Sequence, residues 1–447
     1  MEQMQVKGKQ KSWRYVMSLL LMAVAVIAGG QRVLAADAAD AAVTQKKPKV
    51  YMEQTEVTMY PATTKTLKLQ GASSKSKIKW SSSSKKTATV KSSGKVTAKA
   101  QGTATITATY KSKEYTCIVN VTYGTHKTSD GMKYKDTDGN FGHTGRWFKK
   151  SISGGKYYFT NTDGSAVYFK VTGSKYVNVN FVSKISSQTP YFAYSVDGGN
   201  MKRQLISSKK ISVGNTKTHY VRLVIDAISE NENRWGEAGV GIKSIKPVTS
   251  SGAVTAITPQ NDTIAFYGDS ITQGVRALNM ALAPSGTSAT HSYAWYCADK
   301  LNMVPYFAGY GGSGIAEAGC FNSLHNAISS FSMGRKAASY DADVIVFEHG
   351  TNDVHTYGDI FINEYKKALQ MAHKAHPKAK VMVIIPFTQI HADEIRKAAA
   401  PYKKWCTVIE TSSWQLSYTD GLHPNTSGAK TAGKNLAKTV AAKRKAS

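Results

Sequence analysis

The pattern of hydrophobic and polar positions divides the chain into a strand-rich part and a part in which strands and helices alternate. Between residues 50 and 248, segments such as GTATITATY, YVNVNF and THYVRLVID alternate with a period of two, which predicts half-buried strands. From Ile264 onward, helical segments separate the apolar runs IAFYG, DVIVFEHG, KVMVIIPF and CTVIET. Apolar strands that alternate with helices predict a parallel sheet covered on both faces.

Changes of composition divide these regions further. Residues 1–35 combine a basic start, an apolar run and small residues at the end, which favours a cleaved signal peptide over a membrane anchor. We therefore expect a secreted protein, either free or associated with the cell surface. The expected order after the signal peptide is a linker at 36–49, a β-sandwich at 50–123, a jelly-roll-like β-sandwich at 125–248, a Ser- and Thr-rich linker at 249–263 and an α/β domain at 264–447.

The net charge of +29 does not by itself indicate nucleic-acid binding. Residues 46–124 hold 15 Lys and 3 Glu, and these lysines are scattered among Ser and Thr. The clustering of Arg and aromatic residues that is typical of a base-reading surface is missing, so we expect no nucleic-acid partner. A basic domain of this kind either attaches to an anionic cell envelope or serves solubility.

The four cysteines form no CxxC pair and are not spaced with histidine like a zinc site, and their disulfide pairing stays open. Cys297 falls on the apolar face of a predicted helix, which indicates a buried position. His373 and His376 lie three residues apart at a helix end, where a solvated role near the negative end of the helix dipole is favoured over metal binding. We expect no metal and no cofactor.

Four segments place reactive residues at strand ends or in loops, where an α/β sheet binds its ligands. GDS contains Ser270, GYGGSG spans residues 309–314, GTND contains Asn352, and TDGLHPN contains Asp420 and His423. An ester hydrolase needs a hydroxyl nucleophile, an imidazole base, an acid that orients the imidazole, and donors for the oxyanion. Taken alone, Ser270 at a strand-to-helix turn is more typical of a helix cap.

The four segments in this order resemble the sequence blocks of the SGNH (GDSL-type) esterase and lipase superfamily, over residues 264–447. The resemblance implies a three-layer, flavodoxin-like α/β domain in which Ser270 is the nucleophile, His423 the general base and acid, and Asp420 the residue that orients the imidazole. It also implies an oxyanion hole formed by the amide of Ser270, the amide of Gly312 with Gly311 as the alternative, and the side chain of Asn352.

Two further resemblances concern the strand-rich part. The segments YFAYSVDGG, HYVRLVIDAISEN and AGVGIKSI ahead of an SGNH domain resemble carbohydrate esterase family 2. In members of that family either an acid or a main-chain carbonyl supports the histidine, so the role of Asp420 is open between these two. Residues 50–123, with Trp80 before a Ser run and Gly94 at a hairpin, resemble the bacterial Ig-like group 2 repeat, a spacer or adhesive domain.

Trp414 is the candidate for stacking on a sugar, with core packing as the alternative.

These resemblances imply a secreted serine esterase that removes O-acetyl groups from plant polysaccharides such as xylan and glucomannan through an acetyl-Ser270 intermediate. The alternatives are a deacetylase of bacterial envelope glycans, a GDSL-type lipase or esterase, and a non-catalytic adhesin that binds glycan or envelope. The expected partner is an acetylated polysaccharide or oligosaccharide, and the expected state is a monomer. We expect activity to fall at acid pH as His423 takes up a proton.

Overall fold

The computed structural model describes residues 50–445, apart from gaps at 60–62, 74–77, 100–101, 122–140, 258, 260–261, 302, 320–322 and 338–339. The expected signal peptide (1–35) and first linker (36–49) lie outside the described residues. No helix in the described part of the chain is long and apolar enough to cross a lipid bilayer.

The first domain is a small β-sandwich in which alternate residues of short strands point inward. Strands β2, β9, β8 and β5 form one sheet in that order, and β3, β7 and β6 form another. Gly94 has a φ of +78°, and a Cβ there would lie 2.5 Å from the carbonyl oxygen of Leu67, so this hairpin position requires glycine. The strands are β1 (Tyr51–Met52), β2 (Glu56–Met59), β3 (Thr64–Thr66), β4 (Leu69–Gln70), β5 (Lys79–Ser82), β6 (Ala88–Val90), β7 (Lys95–Ala98), β8 (Gly102–Tyr110) and β9 (Lys113–Val121).

The second domain is a sandwich of two antiparallel sheets. One sheet has the order β10-β13-β18-β15-β16 with β20 paired to β13, and the other has the order β11-β12-β19-β14-β17. The strands are β10 (Gly142–Thr144), β11 (Trp147–Ile152), β12 (Gly155–Thr160), β13 (Ala166–Thr172), β14 (Tyr176–Lys184), β15 (Tyr191–Val196), β16 (Lys202–Leu205), β17 (Lys210–Ser212), β18 (His219–Ala227), β19 (Gly239–Pro247) and β20 (Ala253–Ala256).

Strand β20 corrects the expected linker at 249–263. It pairs antiparallel with β13 from Ala253 opposite Thr172 to Ala256 opposite Phe169, so this part of the segment belongs to the sandwich sheet. The sequence AVTA has the alternation of a strand, but it is only four residues long and lies in Ser- and Thr-rich surroundings. Backbone pairing to β13, which the sequence does not reveal, decides its conformation.

The α/β domain has three layers, as the sequence predicts. Its parallel sheet has the order β22-β21-β25-β26-β27, and helices cover both faces. The strands are β21 (Thr263–Gly268), β22 (Val304–Gly309), β25 (Val344–Glu348), β26 (Lys380–Ile384) and β27 (Cys406–Ile409), with a short hairpin of β23 (Ser330–Ser332) and β24 (Arg335–Lys336). The helices are α1 (Ser270–Gln273), α2 (Tyr293–Leu301), α3 (Leu324–Ser329), α4 (Gly358–Ala375), α5 (Ala392–Ala399) and α6 (Thr426–Lys445), with 3₁₀ turns at Ala289–His291 and Ala400–Tyr402.

The second sandwich and the α/β domain share a hydrophobic core. In β18, Val221 and Leu223 pack inside the sandwich, whereas Tyr220 and Val224 pack against the α/β domain with Phe266 of β21. Strand β18 is therefore buried along its whole length, although an antiparallel strand usually exposes one face. The two domains consequently form one continuous packed body.

Candidate active site

Ser270 lies in a tight turn between the end of β21 and α1. Asp269 is the N-cap residue of this helix, because its carboxylate accepts a hydrogen bond from the Ile271 N–H at 2.8 Å. The turn requires Gly268, since a Cβ there would lie 1.9 Å from Thr272 Oγ1. Helix capping therefore leaves the Ser270 hydroxyl available, and 7% of this residue is exposed.

The side chains of Ser270, His423 and Asp420 form a continuous chain of hydrogen bonds. His423 Nε2 lies 2.9 Å from Ser270 Oγ, and His423 Nδ1 lies 2.8 Å from Asp420 Oδ2. An ionised carboxylate can only accept, so we assign the proton to Nδ1, which leaves Nε2 to accept from the Ser270 hydroxyl. In the structure, the Asp420 carboxylate therefore supports the imidazole of His423, which is one of the two arrangements that the sequence left open.

Several donors hold the Asp420 carboxylate in place. Its Oδ1 accepts from the N–H groups of His423 at 2.7 Å and Leu422 at 3.1 Å, and Arg276 Nη1 donates to its Oδ2 at 2.6 Å. Burial alone would raise the pKa of Asp420, but the hydrogen bonds from His423, Arg276 and Leu422 lower it well below its usual range. Asp420 therefore stays ionised at neutral and moderately acid pH.

Arg276 is a member of this site that the sequence did not suggest. It has a φ of +53°, and its carbonyl oxygen accepts a hydrogen bond from Thr419 Oγ1 at 2.7 Å. This contact ties the loop after α1 to the turn that carries Asp420. A lone Arg beyond a short helix gives no sequence signal for such a role.

Gly312 fits the expected oxyanion donor better than Gly311 does. The Gly311 N–H donates to Gln273 Oε1 at 3.0 Å, whereas no described residue accepts a hydrogen bond from the Gly312 N–H. Gly312 has a φ of +67°, a conformation that favours glycine. The amide of Gly312 is therefore available to a bound oxyanion.

Asn352 lies beside the loop of residues 309–314, here called the glycine loop. Its Nδ2 donates to Asp269 Oδ2 and to the Ser313 carbonyl oxygen, both at 3.1 Å, so the amide is held between the nucleophile turn and the glycine loop. The neighbouring Asp353 accepts hydrogen bonds from three N–H groups of the glycine-loop segment, which are those of Ile315, Ala316 and Glu317. These contacts hold Asn352 between the turn of Ser270 and the glycine loop. Because both Nδ2 hydrogens are engaged, an oxyanion bound by Asn352 would replace one of the two acceptors.

Two residues of the sandwich, Asp163 and Arg234, contact the glycine loop (residues 309–314) directly or through Gln273, and the sequence did not reveal them. Arg234 Nη2 donates to Gln273 Oε1 at 2.7 Å, and Arg234 Nη1 approaches the Gly309 carbonyl oxygen at 3.4 Å. Gln273 Nε2 donates to Asp163 Oδ2 at 2.8 Å. Because Gln273 also accepts from Gly311, this buried network links the sandwich, α1 and the loop.

This network places two charged side chains, those of Asp163 and Arg234, in the interior of the protein. Asp163 and Arg234 are buried and lie 3.6 Å apart. Burial raises the pKa of Asp163 to about 7, although Arg234, the Ile228 N–H and Gln273 oppose the rise. In the sequence Asp163 belongs to NTDGS, which reads as an ordinary turn, so its burial against another domain has no local signal.

A second carboxyl lies next to the turn that carries Ser270. Glu348, the last residue of β25, is fully buried. Burial and the neighbouring Asp269 carboxylate raise the pKa of Glu348 well above its usual range. This shift favours the neutral form of Glu348 beside Asp269, whose Oδ2 accepts a hydrogen bond from Asn352 Nδ2.

Trp414 belongs to the edge of the hydrophobic core. Its half-buried indole packs against the core between the sheet and α2, with its ring centre 6.0 Å from that of Phe387. His376 is buried rather than solvated as expected, and His373 is half-buried. The His373 ring stacks on Trp405 at 4.1 Å, and His376 packs on Tyr340 at 4.6 Å.

Comparisons with known proteins agree with this architecture. Residues 266–431 match the GDSL-like Lipase/Acylhydrolase family, and residues 48–119 match the bacterial Ig-like domain (group 2). A search of curated proteins found no match.

Among solved structures, the chain is similar to a family two carbohydrate esterase from Clostridium thermocellum in complex with cellohexaose. The two are 17% identical with a TM-score of 0.58, over 68% of this chain and 99% of that one. An acetyl xylan esterase from Butyrivibrio proteoclasticus is 18% identical with a TM-score of 0.54, over 70% and 97%. A salicylyl-acyltransferase from a tetracycline biosynthetic pathway is 13% identical with a TM-score of 0.51, over 68% and 96%. At these identities the likeness concerns the fold.

The expected fold is thus confirmed, as are the resemblances to the GDSL-type family and to the bacterial Ig-like group 2 domain, while the resemblance to carbohydrate esterase family 2 is confirmed for the fold. Behind a bacterial Ig-like domain and a second β-sandwich, the chain carries a domain of the GDSL-like lipase/acylhydrolase family, which makes it a carboxylic ester hydrolase.

Proposed function

We propose that this protein is an exported esterase that removes O-acetyl groups from plant cell-wall polysaccharides such as xylan and glucomannan. The observation that carries the proposal is the 2.9 Å contact between Ser270 Oγ and His423 Nε2, with Asp420 at 2.8 Å from the other ring nitrogen. This is the arrangement that acyl transfer through a serine requires.

In the proposed reaction, Ser270 Oγ attacks the acetyl carbonyl carbon while His423 Nε2 takes the hydroxyl proton. The resulting imidazolium, stabilised by Asp420, gives this proton to the sugar oxygen as the bond between that oxygen and the acetyl carbon breaks. Water then attacks acetyl-Ser270 while His423 Nε2 takes a proton from the water. The imidazolium gives this proton to Ser270 Oγ as the bond between that oxygen and the acetyl carbon breaks, and acetate leaves. The negative charge on the carbonyl oxygen is stabilised by the amides of Ser270 and Gly312 and by Asn352.

The choice of a carbohydrate ester rests on the domain pair. Family two carbohydrate esterases and an acetyl xylan esterase share the fold over about two thirds of this chain and nearly all of theirs. The half-buried Trp414 remains the proposed sugar-stacking residue, with one aromatic face large enough for a pyranose ring.

The proposal extends to location and assembly. A cleaved segment at 1–35 would export the protein, and the basic Ig-like domain would attach it to an anionic envelope. A monomer suffices for the reaction, because all the proposed catalytic groups come from one chain.

The test is acetate release from a panel of acetylated xylan, acetylated glucomannan and O-acetylated peptidoglycan. Faster release from the two plant polysaccharides is the expected result. Faster release from peptidoglycan would replace the proposal with envelope deacetylation, and binding without any release would indicate an adhesin. The Ser270→Ala variant is the matched control and should release almost no acetate.

A further inference from the structure

Glu230 brings a carboxylate to the site from the sandwich. It lies shortly after β18 and packs against the glycine loop, because a Cβ at Gly311 would lie 2.5 Å from Glu230 Oε2. Gly311 precedes Gly312, the proposed oxyanion donor. The Glu230 carboxyl also interacts electrostatically with His423 and Arg276.

The carboxylate of Glu230 has no partner of its own. Within the ranges that the structure describes, no hydrogen bond or ion pair ends on its oxygens, although the residue is half-buried. The two nearby guanidinium groups are engaged elsewhere: Arg276 donates to Asp420 at 2.6 Å, and Arg234 donates to Gln273 at 2.7 Å. A half-buried acceptor without a donor is costly unless a ligand or water supplies one.

The surroundings of Glu230 bear on its charge. Burial raises the pKa of this carboxyl, whereas Arg234, His423 and Arg276 oppose the rise. In its ionised form this carboxylate repels an anion placed beside it, and partial burial makes the repulsion stronger than it would be in bulk water.

We propose that Glu230 selects the alcohol portion of the ester. It accepts hydrogen bonds from the hydroxyl groups of a neutral sugar, and it disfavours sugars that carry a carboxylate close to the ester. This inference rests on the proposed function, and it narrows the substrate class to uncharged, hydroxyl-rich acetyl esters. It makes Glu230 a specificity residue, supplied by the domain that does not carry the nucleophile.

The test compares kcat/KM for two acetylated xylo-oligosaccharides, one neutral and one bearing a glucuronic acid next to the acetylated sugar. The wild type should prefer the neutral one. Glu230→Gln should shift the ratio toward the anionic substrate by on the order of 10-fold, and Glu230→Lys should shift it further. Losses that affect both substrates equally cancel in the ratio.

Glu114→Gln is the matched control, since Glu114 is an exposed residue of the Ig-like domain and the charge change is the same. It should leave the ratio unchanged. An unchanged ratio in both Glu230 variants, or a wild-type preference for the anionic substrate, would overturn the inference.

Calorimetric binding of the two deacetylated oligosaccharides repeats the comparison without turnover. The neutral product should bind the wild type more tightly, and Glu230→Gln should remove this difference. Equal binding of both products by the wild type counts against the inference. Failure of the proposed function is a separate result, because it would appear as no acetate release by the wild type from any acetyl ester, including 4-nitrophenyl acetate.

Discussion

Arg276 gives the Asp420 carboxylate a charged donor in addition to the imidazole. Its Nη1 lies 2.6 Å from the same Oδ2 that faces His423 Nδ1. Fixing the carboxylate fixes the ring, since the hydrogen bond to Nδ1 sets both its tautomer and its orientation.

We predict that Arg276→Gln lowers kcat by about 10-fold, because a charge-assisted hydrogen bond to Asp420 is lost. Arg276→Lys keeps the positive charge and should recover part of the rate. Steady-state hydrolysis of 4-nitrophenyl acetate measures both variants. Equal rates for wild type and Arg276→Gln would show that Asp420 needs no help from Arg276.

Asn352 is the side-chain donor in the proposed oxyanion hole. We predict that Asn352→Ala lowers kcat by on the order of 10²–10³ while KM changes little, because the donor acts on charge that develops only in the transition state. A parallel rise in KM instead would assign Asn352 to ground-state binding. Circular dichroism should report an unchanged fold.

At the level of single residues, the sequence predicted those that belong to short motifs and missed those that depend on distant packing. Ser270, Asn352, Asp420 and His423 stand in contiguous blocks, and the structure brings them together. Arg276 and Glu230 have no motif, because their importance comes from neighbours far away in the sequence.

At the level of elements, the short helix α1 links Ser270, the proposed nucleophile, to the sandwich. Gln273, its last residue, contacts Asp163, Arg234 and Gly311 at once. Four residues of helix would otherwise be marginal, so this buried network contributes to holding α1 and the glycine loop in place.

We predict that Arg234→Lys lowers kcat by about 10-fold with KM within a factor of about two, because Lys keeps the charge but loses the planar fork that reaches both Gln273 and Gly309. Arg203→Lys is the matched control: Arg203 also joins the sandwich to the α/β domain, through Asp226 and Thr287, but away from the loop. It should lower the melting temperature without lowering kcat. Equal kcat losses in the two variants would reduce the role of Arg234 to stability.

The elements themselves were predictable where periodicity was strong. Strands β21, β25, β26 and β27 and helices α4 and α6 fall where the apolar runs and the helical patterns place them. Strand β20 was missed because its pairing with β13, rather than its own composition, makes it a strand. Burial of both faces of β18 was equally unpredictable, since its outer partner is a different domain.

At the level of the whole molecule, Glu237 joins the sandwich to the hairpin of β23 and β24. Its carboxylate pairs with Lys150 of β11 and with Arg335 of β24, the latter at 2.8 Å, and accepts from Ser332. Burial would raise the pKa of Glu237, but these hydrogen bonds lower it to about 2.

The stability that Glu237 contributes should therefore be present above its unfolded pKa of 4.5 and be lost as the pH falls toward 2. We predict that Glu237→Gln lowers the free energy of unfolding by about 1 kcal/mol at pH 7, a value reduced by solvent screening, and by much less near pH 2. Thermal unfolding at both pH values measures this. Glu114→Gln should show no such dependence, and a pH-independent loss in Glu237→Gln would mean that packing rather than charge is involved.

The network of Asp163, Arg234 and Gln273 has a consequence for how such enzymes are inherited and engineered. A gene fragment that encodes only the α/β domain would yield a polypeptide in which the glycine loop lacks its contacts, direct or through Gln273, with Asp163 and Arg234 of the sandwich. Recombination that exchanged this domain alone would be selected against. We therefore expect the second sandwich and the α/β domain to be inherited together. Chimeras intended to alter substrate preference should have their junction between the Ig-like domain and the second sandwich, and not between the second sandwich and the α/β domain.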